Sequence, residues 1–438
     1  MSNFLFLRVG LFENISKELI KRNHKCYNLA FQLGELLSNA YTSQEYALFK
    51  VKKGNEYQID DDELLKFPIF QFQYLRKILN TKPKEEIIQE YKKYMYVIEE
   101  YIEDNNIDII CVYNGSNWIE QLAIYIAKEY SLKVLYFEEG YFRPYTITCD
   151  DKGINYNSSI PKNREFYKKI KVNSSKFDKY LTKPINEELI NLEKKDSLSL
   201  ILKKLIGIIG YRLRLQPQVY IHNSFYDYLK IYLQKKLIKF KDMDQIKLPE
   251  NYIFVPFQVH SDTQILFHSP QINDMLELVD IVVKYVNKFN KATQNNYKVV
   301  FKEHPKDITR ISYNKLFRKY KDNDNIIFLK YFDTHKLIKE SKLVITINST
   351  VGIEALMNYK KVITLGNAFY NIDGIVNHCN NIDKLDTCIK ETLNSNLNRE
   401  LVNKFLYYLR FEYLIEGFWG CNNEITSTNI ADKIETLI

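Results

Sequence analysis

Short apolar runs alternate with amphipathic stretches along this chain, and the alternation occurs twice. In the first third, "NFLFLRVG" reads as a buried strand ending at Gly10, "LFENISKELIKRNH" has helical spacing, and "KCYNLAF" is a second strand. Further on, "IDIICVY" (107–113), "NWIEQLAIYIAKEY" and "LKVLYFEEG" read as strand, helix and strand. Strands separated by helices cannot pair as hairpins, so this order predicts a parallel sheet with helices on both faces. Between Gly34 and Lys93 the pattern fades, apart from one long amphipathic helix that begins there, "PKEEIIQEYKKYMYVIEEYIEDN".

The second alternation starts near Asn251. "NYIFVPFQV", "YKVVFKEHP", "NIIFLK", "KLVITIN" and "KKVITLG" are strands, interleaved with the helical stretches "INDMLELVDIVVKYVNKF", "THKLIKES" and "TVGIEALMNY". At 438 residues the chain exceeds what one hydrophobic core usually organises. The predicted fold class is therefore α/β, with two facing Rossmann-like domains and a ligand cleft between them. The expected divisions are 1–196 (acceptor side), 197–248 (a basic helical linker), 249–400 (nucleotide side) and 401–438, helices that can pack back on the first domain.

The linker holds nine Lys or Arg between Ser197 and Lys241 against one acid, Asp227, interleaved with apolar residues as in "LSLILKKLIGIIGYRLRL". Two readings stay open: a solvated helical linker, or an amphipathic surface resting on anionic lipid headgroups. The whole chain carries a net charge of only +8, too mild to suggest a nucleic-acid partner. Six scattered cysteines form no CxxC or zinc-like pair, which suggests reduced thiols. With no secretory leader pattern and no run of about 18 apolar residues, an intracellular protein is expected.

In open α/β sheets ligands bind beyond the carboxyl ends of the strands. Lys302, His304 and Pro305 stand at such an end, as do Asn348, Ser349 and Thr350 before a helix that includes Gly352 and Glu354. Unpaired N–H groups and hydroxyls at a helix start suit a phosphate, although Ser349 and Thr350 also suit a plain helix cap. Gly352 would keep the first turn open for close approach. Glu354 would complete a capping-box-like pair or meet a ribose hydroxyl. After another strand, "VPFQVHSDTQILFHSP" supplies Gln258, Asp262, Gln264, His268 and Ser269, a wall for a hydroxyl-rich ligand or an ordinary polar loop. "YFEEGYFRPYTITCDDKGIN" follows a strand of the first domain, and places Glu138, Glu139 and Arg143 toward the same cleft. Carboxylates there can serve as base or nucleophile, and Arg143 can grip an anion, or the three can form a local ion pair. No HxH, DxD or HExxH pattern supplies metal ligands, "DDD" at 60–62 stands in polar context, and neither a P-loop nor GxGxxG occurs.

Five motifs in order, "FEEGYFRPYTITCDDKGIN", "VPFQVHSDTQI..HSP", "KEHPKD", "INSTVGIEAL" and "LGNAFYNIDG" with its Tyr370, resemble the bacterial capsule polysaccharide synthesis proteins. The resemblance is to the Kdo transferases of KpsS and KpsC type, nearest the KpsS branch. It implies a GT-B-like glycosyltransferase, retaining and without metal or other cofactor, that uses CMP-Kdo as donor and lysophosphatidylglycerol as acceptor. It also implies a cytoplasmic enzyme, peripheral on the inner face of the membrane, with a second Kdo transferase as a possible partner. His304 and the Ser349–Thr350 pair would contact the CMP group. Glu139 matches an aspartate in the KpsC-type "EDGF" version and is the candidate catalytic carboxylate, with Glu138 as the alternative. Other open readings are transfer from CMP-sialic acid or another ulosonic acid, and a non-catalytic assembly or export scaffold.

Overall fold

The computed structural model describes residues 1–8, 12–192, 198–218, 246–308, 310–419 and 423–438. Those residues form two compact units, one from 1–160, 172–218 and 407–438, the other from 161–171 and 246–406.

In the first unit, β1 (Asn3–Phe6), β2 (Lys25–Ala30), β3 (Ser43–Tyr46), β4 (Ile109–Tyr113), β5 (Lys133–Glu139) and β6 (Thr146–Asp150) join with Ile415–Glu416 in one sheet. The order is Ile415–Glu416, β6, β5, β4, β1, β2, β3. The five strands from β5 to β3 are parallel, whereas β6 and Ile415–Glu416 are antiparallel additions. Side chains alternate along a strand, so each strand feeds two cores. Leu5, Leu29, Ile110 and Val112 pack with Tyr91, Met95 and Ile98 of helix Glu85–Asp104 and with Trp118 and Leu122 of helix Trp118–Glu129. Phe4, Phe6, Cys111 and Phe137 pack on the other face with Ile15 and Leu19 of helix Glu13–Lys21 and Ile430 and Ile434 of helix Glu424–Leu437. Trp118 stacks on Tyr91 with ring centroids 5.0 Å apart. Burial of each such large side chain contributes roughly 2–3 kcal/mol.

The hard-to-read stretch holds β3, a short edge strand of sequence SQEY, and three short helices: Ala47–Lys50, Asp61–Leu64 and Phe70–Lys77. The acidic run is explained locally, because the Asp60 carboxylate caps Asp61–Leu64 by accepting from the amides of Asp62 and Glu63. Among the described residues Cys26, Cys111, Cys149, Cys379 and Cys388 are free thiols.

The second unit is an all-parallel sheet of β7 (Tyr252–Pro256), β8 (Lys298–Lys302), β9 (Ile326–Leu329), β10 (Leu343–Thr346), β11 (Val362–Thr364) and β12 (Asn377–His378). Its order, β12-β11-β10-β7-β8-β9, reverses between β10 and β7. Helices Met275–Thr293 and Leu385–Asn394 cover one face through Leu278, Val282, Val286, Leu385 and Ile389. Connections diverge from a reversal point, which leaves a crevice at the carboxyl ends of its strands. The first unit has its own reversal between β1 and β4.

Candidate functional site

At the reversal in the second unit, Gln258 lies two residues past β7 and Asn348 two past β10. The Gln258 amide donates to Asn348 Oδ1 at 3.0 Å, and the Asn348 backbone N–H returns a bond to Gln258 Oε1 at 3.2 Å. Asn348 Nδ2 also faces the carbonyls of Gln264, His268 and Asn367 at 2.9, 3.3 and 3.4 Å. With exposures of 3% and 5%, Gln258 and Asn348 work inside the protein, fixing the loops after β7 and β10 to each other. Asp262 turns to its own backbone and caps helix Thr263–His268 by accepting from Gln264 N–H. The buried Ser269 hydroxyl donates to the carbonyl of Ile272. Burial, with Lys162 nearby, pushes the His268 imidazole down to about 4, so it is neutral at pH 7.

The Ser349–Thr350 turn is built differently from a capping box. Ser349 Oγ accepts from Val351 N–H at 3.2 Å, and Thr350 is the N-cap residue of Val351–Met357 without a cap bond from its hydroxyl. Gly352 is required by packing: a Cβ there would lie 2.4 Å from the Tyr370 hydroxyl, which donates to the Ser349 carbonyl. The close approach read from the sequence is therefore made by Tyr370. Glu354, one turn on, accepts from Asn358 through its carbonyl.

At the end of β8, Lys302 is 7% exposed and its carbonyl accepts from Phe257 N–H at 2.9 Å. His304 Nδ1 accepts from Lys306 N–H at 3.1 Å, so the neutral ring carries its proton on Nε2; Pro305 beside it is exposed. Two residues not singled out in the sequence join this loop. Asp307, fully buried, accepts from the backbone N–H of His260 at 2.7 Å and faces His260 Nδ1 at 3.0 Å. Both residues follow strands in motifs already in view, but their pairing runs across two loops.

In the first unit, β5 continues through both glutamates and turns directly into antiparallel β6, so the motif is a hairpin and not a loop after a strand. The turn needs glycine, because a Cβ at Gly140 would lie 2.4 Å from Thr146 Oγ1. Neighbours in an extended strand project to opposite sides, which makes the two acids unequal. Glu138 Oε1 accepts from the Tyr113 hydroxyl at 2.9 Å and Oε2 from the Asn114 amide at 2.6 Å. Burial pushes its pKa up, against those two bonds. Glu139 is 30% exposed, with Oε2 3.7 Å from Nε of Arg143, itself 55% exposed. Tyr113, Asn114, Arg8 and Glu120 of this cluster were not read from the sequence.

Glu120 lies 1% exposed at the β1/β4 reversal, where Oε1 accepts from Tyr113 N–H at 2.7 Å and stands 3.7 Å from Arg8. Burial, more than Arg8 can offset, raises its pKa from 4.5 to about 7. A carboxyl raised in the folded state contributes stability that is full below pH 4.5 and lost as pH rises through 7, here about 3 kcal/mol. Glu120→Gln is expected to flatten this loss, and urea titrations at pH 5 and pH 8 measure it; an unchanged difference between the two pH values refutes it.

Among the described residues no three His, Cys, Asp or Glu side chains gather as a metal-ligand set. Polar groups collect at the reversal points of both sheets, the place where open α/β folds bind ligands. The chain belongs to the family described as capsule polysaccharide biosynthesis protein, whose model matches residues 86–413. It is 30% identical over 329 residues to Protein FixF of Sinorhizobium fredii, covering 75% of this chain and 65% of that one. It is 29% identical over 265 residues to the capsule polysaccharide export protein KpsS of Escherichia coli, covering 57% and 64%. The chain thus spans just under two thirds of either relative. Among solved structures it is similar to Thermosulfurimonas dismutans KpsC, a beta Kdo 2,7 transferase, at 15% identity and TM-score 0.43, covering 100% of this chain and 99% of that one.

Proposed function

We propose that this protein is a retaining, metal-independent glycosyltransferase of GT-B type that moves Kdo from CMP-Kdo to lysophosphatidylglycerol, placing the first β-Kdo of a capsule lipid linker. The observation that carries the reading is the family match over residues 86–413, which takes in the Glu138–Arg143 hairpin and the strand ends of the second unit. In this reading His304, Lys302 and the Ser349–Thr350 turn receive the donor phosphate, and the loops locked by Gln258 and Asn348 receive the nucleoside. Stabilising the charge on departing CMP lowers the barrier to cleavage. Glu139 supplies the carboxylate that retention needs. Glu138, with both oxygens engaged, holds the hairpin against β4. The test incubates the protein with synthetic lysophosphatidylglycerol and either CMP-Kdo or CMP-sialic acid, and weighs the product by mass spectrometry. A mass gain of one Kdo supports the reading. Gain from CMP-sialic acid alone moves the donor to another ulosonic acid, and no turnover with either leaves a scaffold.

A lipid acceptor is supported by helix Leu198–Arg212. Gly207 and Gly210 approach Gln32 and Leu33, while Leu202, Leu205, Ile209 and Leu213 are 52%, 52%, 53% and 63% exposed. Exposed Arg212 and Arg214 flank this apolar face, an arrangement suited to an anionic leaflet. Lys230, Lys235, Lys236, Lys239 and Lys241 of the basic segment lie outside the described residues. No helix among the described residues is long and apolar enough to cross a membrane. Leu205→Asp with Ile209→Asp is expected to cut co-sedimentation with anionic liposomes by about tenfold while sparing transfer to a short-chain acceptor. Unchanged sedimentation discards the docking face.

A further inference from the structure

We propose that His260 is a second phosphate-binding imidazole at the donor site, held in place by Asp307. The inference rests on the donor reading above and adds a residue that neither the motif spacing nor the family match assigns. Asp307 has no exposed surface, and a carboxylate so placed is tolerated only when its oxygens are hydrogen-bonded. It accepts from His260 N–H at 2.7 Å and from the Tyr313 hydroxyl at 3.4 Å through Oδ2, and from His260 Nδ1 at 3.0 Å through Oδ1. The first of these pins the backbone of the loop after β7, and the Nδ1 bond fixes the ring. With Nδ1–H committed to Asp307, Nε2 is the one ring atom left to meet a ligand, and it donates from the imidazolium, the form that a carboxylate on one side and a phosphate on the other stabilise; the side chain keeps 18% exposure.

Position points to the ligand class. His260 follows Gln258 by two residues, at the strand end where the sheet order reverses. The same Asp307 donates its backbone N–H to the His304 carbonyl at 2.9 Å. One buried carboxylate residue therefore ties together two loops, each carrying an imidazole, at the adjacent ends of β7 and β8. Lys302 closes β8, where it pairs with Pro256 of β7. An imidazolium at His260 and the Nε2–H of His304, at neighbouring strand ends, suit an oxyanion with several acceptor oxygens better than a neutral sugar or base. Asp307 acts as a positioning residue and His260 as the contact.

Calorimetry with CMP and with cytidine separates the phosphate from the rest of the ligand. Wild-type protein is expected to bind CMP more tightly than cytidine. His260→Asn is expected to weaken CMP by about tenfold and leave cytidine unchanged, since one charge-assisted hydrogen bond is lost. Asp307→Asn, which keeps the ring but loosens it, is expected to fall between the two. Equal weakening of CMP and cytidine, or none, in a His260→Asn variant of unchanged melting temperature overturns the assignment. Should Asp307→Asn fail to fold, the His260 result decides alone. A wild-type protein that binds neither compound overturns the donor reading, and this inference with it.

Discussion

Glu139→Gln is expected to abolish sugar transfer, by about 10³-fold or more, in a protein that folds as before. The substitution keeps the shape of the side chain and removes its charge. A surface ion pair such as Glu139–Arg143, 3.7 Å apart with side chains 30% and 55% exposed, is worth only about 0–1 kcal/mol. Stability should barely move, whereas an amide cannot act as the carboxylate of a retaining mechanism. Glu138→Gln is the matched control. Its amide can accept from only one of Tyr113 and Asn114, so it loosens the hairpin and lowers turnover by a smaller factor. Single-turnover rates for both variants, beside their thermal melts, decide the matter. Glu139→Gln turning over within tenfold of wild type removes Glu139 from the chemistry.

The second large effect falls on stability. Asn348→Ala deletes an amide that accepts from Gln258 and faces three backbone carbonyls, so the buried Gln258 amide loses its acceptor and the carbonyls lose a donor, the His268 carbonyl keeping its bond from Asn367 N–H. Each orphaned group costs about 1–3 kcal/mol, so a loss of about 3–4 kcal/mol is expected after partial relaxation. Asn348→Asp should be no better, because it turns oxygens toward carbonyl oxygens that need donors. Urea unfolding followed by tryptophan-independent circular dichroism reports the change. A loss below about 0.5 kcal/mol means the network does not hold the loops together.

Some elements were plain in the sequence for a simple reason. β4, β7 and β10 are apolar runs with helical stretches after them, and a strand buried on both faces has little choice of residue. β3 and β6 were not legible as strands. The first is a polar, four-residue edge, and the second continues a turn whose direction is set by the glycine at 140. Among site residues, the strand-end positions of His304, Asn348 and Ser349 could be read directly. What each does could not, because Asn348 turned out to bind protein and Gly352 to accommodate Tyr370. Glu138 and Glu139 are adjacent and chemically alike in the sequence. Only the neighbouring strand, through Tyr113 and Asn114, sets the acid with both oxygens held apart from its neighbour.

The amino-acid order alone determined that the chain alternates strands and helices in two α/β stretches built on parallel strands, since hydrophobic periodicity is a local property that each segment carries with it. Partnership is not local. Gln258 meets Asn348, His260 meets Asp307, and helix Glu424–Leu437 packs in the same core as Glu13–Lys21 because the sheet order brings those segments side by side. Which strand ends become neighbours depends on the energy of the whole packed sheet, and that quantity exists only in the folded molecule.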